Sequence, residues 1–261
     1  MFIIGELING MYKNVQEAIK NKDKKAIQEI AIAQTKAGSS ALDVNCGPAS
    51  ANPKDTMKWL VEAIQEVVDT PLCLDSTRPD VIEAGLSIAK NKTVINSAYA
   101  DQEKLDTLVP MALKYNSALI GLAMSKKGVP QDKLQRLELA VQIITYCQDN
   151  GFPVNNLYLD PIVLPVNVAQ SQGQEVLETI REFKILSDPA PKTVVGLSNV
   201  SQGTNQRSLI NRTFLVMAQG CGLDSAILDP LDNDLMDALI AAELILNKQI
   251  YCDSFLNAYR K

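Results

Sequence analysis

Short apolar segments of the chain alternate with longer segments in which apolar residues recur at helical spacing. The short runs are rich in β-branched and aliphatic residues and end in polar residues, which is typical of buried strands. Eight strands are predicted, over residues 2–7, 41–46, 71–76, 93–98, 117–124, 157–163, 193–198 and 225–230. The patterns over 53–68 and 132–151 predict amphipathic helices, and the second ends at Asn150-Gly151, a helix C-terminal signal.

The regular alternation of strands and helices predicts a parallel sheet. Eight units in 261 residues take roughly 33 residues each, close to the average of a (β/α)8 TIM barrel. The sequence contains no linker-like or low-complexity segment, so we expect a single domain over residues 1–261. After the eighth strand, 234–246 predicts a further helix. The aromatics Tyr251, Phe255 and Tyr259 in 247–261 indicate a packed closing helix or part of a subunit interface.

Composition and charge exclude several classes of function. The net charge is −5, and the Lys-rich stretch 20–25 is interrupted by Asp23 and resembles a solvated helix end. An acidic chain without a clustered basic face is not expected to bind nucleic acid or a membrane surface. No signal peptide or membrane span is predicted. The five cysteines are widely spaced without a Cys-x-x-Cys pair, which indicates free thiols in the cytoplasm.

Histidine is absent from the chain. This removes the commonest metal ligand and the commonest general base. Catalytic triads that use histidine, His-based zinc sites and His-ligated cofactors are therefore excluded for this chain. Its chemistry must depend on carboxylates, amides, hydroxyls, lysines, backbone groups or a cofactor carried by a partner.

Seven of the eight predicted strands end in polar residues that an apolar core does not need. In a barrel these positions converge at the C-terminal mouth, where active sites of this fold lie. A single polar strand end is more often a turn former or a helix cap, but seven together predict a pocket for a polar ligand. The residues are Glu6, Asn9, Asp43, Asn45, Asp75, Asn96, Asp160, Ser198, Asn199 and Asp229.

The types of these side chains narrow the ligand. Asp75, Asn96 and Asp160 offer carboxylate acceptors and an amide that both donates and accepts, which suits a planar heterocycle with an exocyclic amino group. A phosphate is disfavoured because strand 8 runs into Asp229 and Asp232, whose charges oppose an anion. A divalent metal held by aspartates is a weaker alternative, since no acidic cluster is local in sequence. No strand end offers the lysine of a Schiff-base aldolase.

Several segments resemble the pterin-binding barrel superfamily, which includes dihydropteroate synthases and folate-binding methyltransferases. They are "ALDVNCGP", "LCLDSTRPDVIEAGL", "VINSAY", "LYLDP" and "VVGLSNVSQG", in the same order and spacing over nearly the whole chain. Dihydropteroate synthases carry Ser-Arg-Lys at the end of strand 7, where this chain has Ser198-Asn199-Val200. The resemblance is therefore closer to the methyltransferase branch, and the length is similar to that of methyltetrahydrofolate:corrinoid iron–sulfur protein methyltransferases.

The resemblance implies transfer of the N5 methyl of methyltetrahydrofolate to Co(I) of a corrinoid, in the acetyl-CoA (Wood–Ljungdahl) pathway. Methyltetrahydrofolate would be a substrate, with no tightly bound cofactor and no metal. The corrinoid and the iron–sulfur cluster would reside on the partner, a corrinoid iron–sulfur protein, and the enzyme would be a homodimer. The alternatives are a dihydropteroate synthase and a non-catalytic folate-binding subunit.

The same resemblance assigns roles to individual residues. Asp75, Asn96 and Asp160 would hydrogen-bond the pterin, and Asn199 and Asp75 are the expected catalytic residues, because the Asn199 amide can accept a hydrogen bond from protonated N5. The remaining substrate contacts would come from the strand-7 region. They are Gly196, Ser198, Gln202 and Arg207, the last two toward the rest of the folate.

Overall fold

A computed structural model of the protein describes residues 1–48 and 50–259, in which eight parallel strands form a closed barrel. The strands pair in sequence order and β8 pairs with β1, so the predicted (β/α)8 TIM barrel is confirmed. The strands are β1 (Phe2–Asn9), β2 (Ala41–Asn45), β3 (Leu72–Asp75), β4 (Thr93–Tyr99), β5 (Ala118–Leu122), β6 (Leu157–Asp160), β7 (Lys192–Gly196) and β8 (Ser225–Leu228).

Helices surround the sheet and connect consecutive strands. Several begin at a capping carboxylate, such as Asp132 before α6 and Asp232 before α10, whose side chains accept from backbone N–H groups of the first turn. The helices are α1 (Lys13–Asn21), α2 (Lys24–Lys36), α3 (Pro53–Gln65), α4 (Pro79–Leu86), α5 (Gln102–Lys114), α6 (Lys133–Asp149), α7 (Val166–Ala169), α8 (Gln172–Phe183), α9 (Arg207–Gly220), α10 (Asn233–Ile245) and α11 (Phe255–Tyr259).

The barrel interior is a small apolar cluster with one residue from each strand at its centre. Because side chains alternate across a strand, the residue two positions further along each strand also faces the interior. The cluster comprises Ile4, Ala41, Cys73, Val94, Ile120, Tyr158 and Val194, with Phe2, Ala118, Leu122 and Ile227 against it. The other faces of the strands pack against the helices in two larger apolar clusters, which hold the barrel rigid.

The bounds of several strands differ in detail from the sequence prediction; β6, for example, ends at Asp160 and not at 163. β7 ends at Gly196, and Leu197–Ser201 forms a 3-10 turn instead of extending the strand as predicted through 198. At the C-terminal end, Phe255 and Tyr259 of α11 pack partly against the core, whereas Tyr251 is exposed, in agreement with a packed closing helix. Residues 260 and 261 of that predicted segment, and Ala49, lie outside the described residues.

Two further features concern the cysteines and the apolar character of the helices. All five cysteines are free thiols, four of them buried. Among residues 1–48 and 50–259, no helix combines the length and the apolar character that a membrane crossing requires.

Candidate functional site

The polar strand ends form a second layer directly above the apolar centre of the barrel. Six of the interior residues are followed two positions later by one of these polar residues, for example Ile4 by Glu6, Cys73 by Asp75 and Tyr158 by Asp160. These side chains therefore face the interior at the C-terminal mouth. The exceptions are β5, where Ile120 is followed by Leu122, and β7, where Val194 is followed by Gly196 and the polar side chains come from the turn after the strand. The lining of the mouth is thus polar on six of the eight strands.

Four neighbouring residues on β2, β3 and β4 form a group of two hydrogen-bonded pairs. In the strand pairing, Asp75 lies between Asn45 and Asn96. Asn45 donates from Nδ2 to Asp75 Oδ2 at 2.7 Å, and Asn96 donates from Nδ2 to Asp43 Oδ1 at 3.2 Å. Each carboxylate thus has one amide partner, and Asp43 also bonds the Cys73 thiol. Among the described residues, Asp75 has no side-chain hydrogen bond other than the one from Asn45.

Burial dominates the electrostatics of this group. Asp43 is only 3% exposed. Desolvation raises the pKa of Asp43 well above its usual range, and the nearby Asp75 charge raises it further, against the lowering effect of the Asn96 hydrogen bond. Burial also raises the pKa of Asp75, against the hydrogen bond from Asn45. A ligand that donates hydrogen bonds here would replace lost solvation and favour the ionised carboxylates.

Asp160 forms a second anchor point on β6. Its Oδ1 accepts from the Ile162 N–H at 2.7 Å, and the Gly196 N–H also bonds its carboxylate. Burial raises the pKa of Asp160 to about 7, against the lowering effect of these two backbone donors. The carboxylate is therefore held between β6 and β7, where it can accept from a ligand in the barrel mouth.

The 3-10 turn after β7 carries Ser198 and Asn199. The Asn199 side chain is exposed and covers Gly196, since a Cβ on Gly196 would lie 2.9 Å from Asn199 Nδ2. In the described residues the Asn199 amide makes no side-chain hydrogen bond, so both of its polar atoms are available to a ligand.

Arg207 fixes this turn from the start of α9. Its Nε donates to Ser201 Oγ at 3.2 Å and its Nη2 donates to the Ser198 carbonyl oxygen at 3.3 Å. Arg207 is exposed beyond these bonds, and so is Gln202, whose backbone N–H donates to the Asn199 carbonyl oxygen at 3.2 Å. Both side chains can reach a ligand that extends out of the mouth.

Glu6 connects the strand-7 turn to β1 and β8. The Ser198 hydroxyl donates to Glu6 Oε2 at 2.9 Å. Burial raises the pKa of Glu6 to about 7, with a further contribution from the Asp229 charge and an opposing one from Arg207. Glu6 lines a cavity of about 330 Å³ beside the mouth, together with Tyr12, Ser198, Arg207, Asp229 and Asp232.

Asn9 does not join the group of hydrogen-bonded side chains. Its Oδ1 accepts from the Met11 N–H at 2.9 Å and shapes the loop after β1. In the described residues, no group of three or more carboxylates or thiols has the arrangement of metal ligands.

Arg136 is a supporting residue that the sequence analysis missed. It is fully buried on α6, where Nε donates to the Pro161 carbonyl oxygen at 2.8 Å and Nη2 donates to Gln172 Oε1 at 2.7 Å. It thereby holds the chain directly after Asp160. The signal was an arginine at helical spacing with the buried Ala140, Ile143 and Cys147, a position where a charge needs specific partners.

The chain is similar in sequence to proteins of named activity. A curated methylcorrinoid:tetrahydrofolate methyltransferase from Eubacterium limosum is 30% identical over 100% of this chain and 97% of its own. Methionine synthases from Mycobacterium leprae and Mycobacterium tuberculosis are 30% and 29% identical over 87% of this chain, which corresponds to 20% of each of those enzymes. The chain thus matches one part of the methionine synthases.

Solved structures show the same fold at low sequence identity. A dihydropteroate synthase from Coxiella burnetii in complex with pteroic acid has a TM-score of 0.72 at 15% identity, over 95% of this chain and 94% of that one. The Yersinia pestis enzyme with a pterine–sulfa conjugate has a TM-score of 0.69 at 17% identity over the same shares. The profile of the family described as "Pterin binding enzyme" matches residues 11–229. The chain therefore belongs to the family of pterin binding enzymes.

Proposed function

We propose that this protein transfers a methyl group between N5 of methyltetrahydrofolate and the cobalt of a corrinoid carried by a separate protein, with methyltetrahydrofolate as the donor. The observation that carries the proposal is the ring of Asp75, Asn96 and Asp160 at the mouth of a barrel whose full length matches a methylcorrinoid:tetrahydrofolate methyltransferase. The name of that relative gives a methylcorrinoid and tetrahydrofolate, which are the products of the transfer proposed here, so the relative is named for the same reaction in the opposite direction.

The ring supplies what the pterin requires. The exocyclic amino group and the ring N–H groups of a pterin are donors, and the carboxylate oxygens of Asp75 and Asp160 are acceptors. Asn96 is fixed by its bond to Asp43 and adds an amide that accepts and donates. The raised pKa values of Asp75 and Asp160 reflect desolvation that a bound donor offsets.

The difficult step is release of the methyl group from a tertiary amine. Displacement from neutral N5 would expel an amide-like anion, so N5 must be protonated at or before the transition state. The Asn199 oxygen can accept from the N5–H and stabilise the protonated form without titrating itself. Its exposed, unpaired amide above Gly196 supports this role, and Asp75 assists by holding the ring.

The corrinoid is proposed to arrive on a partner, a corrinoid iron–sulfur protein, because this chain has no histidine with which to ligate cobalt from below. The partner would thus carry both the cobalt, which is a substrate of this protein, and any iron–sulfur cluster. We further propose a cytoplasmic homodimer without a tightly bound cofactor of its own. Gln202 and Arg207, exposed beside the mouth, are proposed to contact the remainder of the folate.

The alternative of a dihydropteroate synthase is weaker. The solved synthases share the fold at 15–17% identity, which supports the barrel only. At the end of β7 this chain places Asn199 and Val200 where the synthases carry Arg-Lys, so a second anionic substrate has no cation on this turn other than Arg207.

Single-turnover methyl transfer tests the proposal. The protein is mixed with methyltetrahydrofolate and reduced free cobalamin, then with a reduced corrinoid iron–sulfur protein, and loss of the Co(I) absorbance is followed. We expect methyl transfer to both, faster to the protein-bound corrinoid. A reaction only with pterin pyrophosphate and p-aminobenzoate would establish the synthase instead. Tight folate binding without transfer in either direction would establish a non-catalytic binding subunit.

A further inference from the structure

The proposed reaction consumes a proton at N5, and Asn199 cannot supply one. A side chain that does so must titrate in the working pH range and connect to the strand-7 turn. Asp75 accepts from the Asn45 amide, and Asp43 accepts from the Asn96 amide and bonds the buried Cys73 thiol. Asp160 accepts from two backbone N–H groups. None of these partners is a side chain on the strand-7 turn that could pass a proton toward N5.

The partner of Glu6 is different because it is a hydroxyl group. Ser198 Oγ lies 2.9 Å from Glu6 Oε2 and is adjacent in the chain to Asn199. A hydroxyl group donates to an ionised carboxylate and accepts from a protonated one. When Glu6 is protonated, the Ser198 hydroxyl can therefore turn its own hydrogen toward the barrel mouth.

We propose that Glu6 holds the proton that reaches N5 and passes it through the hydroxyl group of Ser198. This inference rests on the proposed function. The Glu6 proton moves to Ser198 Oγ as the Ser198 hydrogen moves to N5, which leaves a Glu6 carboxylate and a protonated amine. The N5–methyl bond then breaks as the Co(I) electron pair takes the methyl group, and N5 retains its hydrogen. Glu6 acts through Ser198 and is a positioning and proton-holding residue.

The surroundings of Glu6 suit a group that changes its charge. Asp229 directly after β8, Asp43 on β2 and Tyr12 after β1 face it, and Arg207 is the one cation that acts on it in the described residues. The negative neighbours favour the protonated form, and burial raises the pKa of Glu6 to about 7. The 330 Å³ cavity that Glu6 lines, with Asp232 at its far side, gives solvent access for reprotonation after each turnover.

The test measures single-turnover methyl transfer at saturating methyltetrahydrofolate from about pH 5.5 to about pH 8.5. The wild-type rate should fall as pH rises through about 7, because Glu6 loses its proton. Glu6→Gln keeps the shape but cannot titrate. We expect it to be slower by about 10²-fold at low pH, with no decrease near pH 7 and with unchanged folate affinity by calorimetry. Glu138→Gln, on the exposed face of α6, is the matched control and should retain the wild-type profile.

Three further variants make the inference specific. Ser198→Ala should slow methyl transfer as much as Glu6→Gln does. The double variant should be no slower than either single variant, because the two groups form one route for the proton. Asp229→Asn should move the decrease in rate to lower pH, since its charge raises the pKa of Glu6. A Glu6→Gln enzyme that keeps the decrease near pH 7, or additive effects in the double variant, would overturn the inference.

A measurement without activity separates this inference from the proposed function. Carboxyl-carbon NMR of the ¹³C-glutamate-labelled protein should show one glutamate that titrates near 7 and is missing in Glu6→Gln. If wild-type protein transfers no methyl group, the proposed function fails, whatever this titration gives. If it transfers methyl groups but no such glutamate titrates, only the role of Glu6 fails. Should Glu6→Gln not fold, as judged by circular dichroism, Ser198→Ala provides the kinetic test.

Discussion

The amide of Asn45 donates to the carboxylate of Asp75 at 2.7 Å, across neighbouring strands β2 and β3. The second atom of that amide accepts from the Gly47 N–H at 2.7 Å, which fixes its orientation. Asn45 thus holds one Asp75 oxygen in place and leaves the other for a ligand. Asn45, to which the sequence assigned no specific role, is thereby a positioning residue for Asp75, a proposed pterin contact.

Asn45→Ala should weaken binding of methyltetrahydrofolate by roughly 10-fold or more, because a hydrogen bond to a charged group is worth about 1.5–3 kcal/mol. Calorimetry provides the measurement. Asn91→Ala is the matched control, since the Asn91 side chain bonds the Asp69 carbonyl oxygen away from the mouth. Equal affinities of the Asn45 variant and the wild type would contradict the positioning role.

Asn199→Ala should lower kcat/KM for methyl transfer by about 10²-fold or more, since a preorganised hydrogen bond to the reacting group contributes about 2.7–4 kcal/mol. Because the amide makes no side-chain bond within the described residues, folding should not suffer. Asn155→Ala, exposed before β6, is the control. A near-wild-type rate for Asn199→Ala is incompatible with the assignment.

Gly196→Ala tests whether the position of the Asn199 amide matters, because it displaces the amide without replacing it. The new Cβ would lie 2.9 Å from Asn199 Nδ2, and the backbone at φ −77° accepts alanine without strain. The flexible amide must move, so we expect methyl transfer to fall by roughly 10-fold while the free energy of unfolding changes by less than about 1 kcal/mol. Gly173→Ala, where a Cβ meets nothing within 4 Å, should leave both quantities near wild type. An unchanged rate for Gly196→Ala would show that Asn199 tolerates displacement.

Asp160→Asn should make the protein more stable at alkaline pH and weaken its binding of methyltetrahydrofolate. The pKa of Asp160 is about 7 in the folded protein and 3.8 ordinarily, so its contribution to stability is full below about pH 4 and is lost as pH rises through about 7. Asparagine retains the acceptor for Ile162 and Gly196 without the buried charge. In urea unfolding, the free energy of unfolding of the variant should increase relative to that of the wild type as pH rises, by up to roughly 4 kcal/mol above pH 8.

The same Asp160→Asn variant should bind methyltetrahydrofolate more weakly in calorimetry, because a carboxylate acceptor is replaced. Asp149→Asn, at the exposed end of α6, is the control and should show no stability gain with pH. A difference between Asp160→Asn and the wild type that is constant from acid to alkaline pH would contradict the raised pKa of Asp160.

Arg136→Lys should destabilise the protein by about 1–3 kcal/mol in urea unfolding. A lysine has no planar fork with which to bond both the Pro161 carbonyl and Gln172, so a buried acceptor loses its partner. Since Pro161 follows Asp160, folate affinity should fall as well. Arg181→Lys on the exposed face of α8 is the matched control. A fully stable Arg136→Lys would show that Arg136 is not needed to hold this segment.

The order of strands and helices was predictable because it depends on local periodicity. Each strand is a short apolar run whose side chains alternate, so the residue that faces inward above the core can be read from the chain, as with Cys73 and Asp75. Strand ends of a parallel barrel converge, and that general property was sufficient to predict the pocket. The absence of histidine likewise excluded whole classes of chemistry.

What the sequence could not provide are the contacts between residues far apart in the chain. Glu6 and Ser198 are separated by 192 positions and meet only because β8 closes onto β1. The pairing of Asn45 with Asp75 depends on strand register, and the 3-10 turn that presents Asn199 depends on Arg207 bonding back to Ser198. The sequence determined the fold, the polar ring and the chemistry it can offer. Only the tertiary structure, through strand register and barrel closure, decided which carboxylate each amide and hydroxyl group bonds, because desolvation and hydrogen bonding act between neighbours in space.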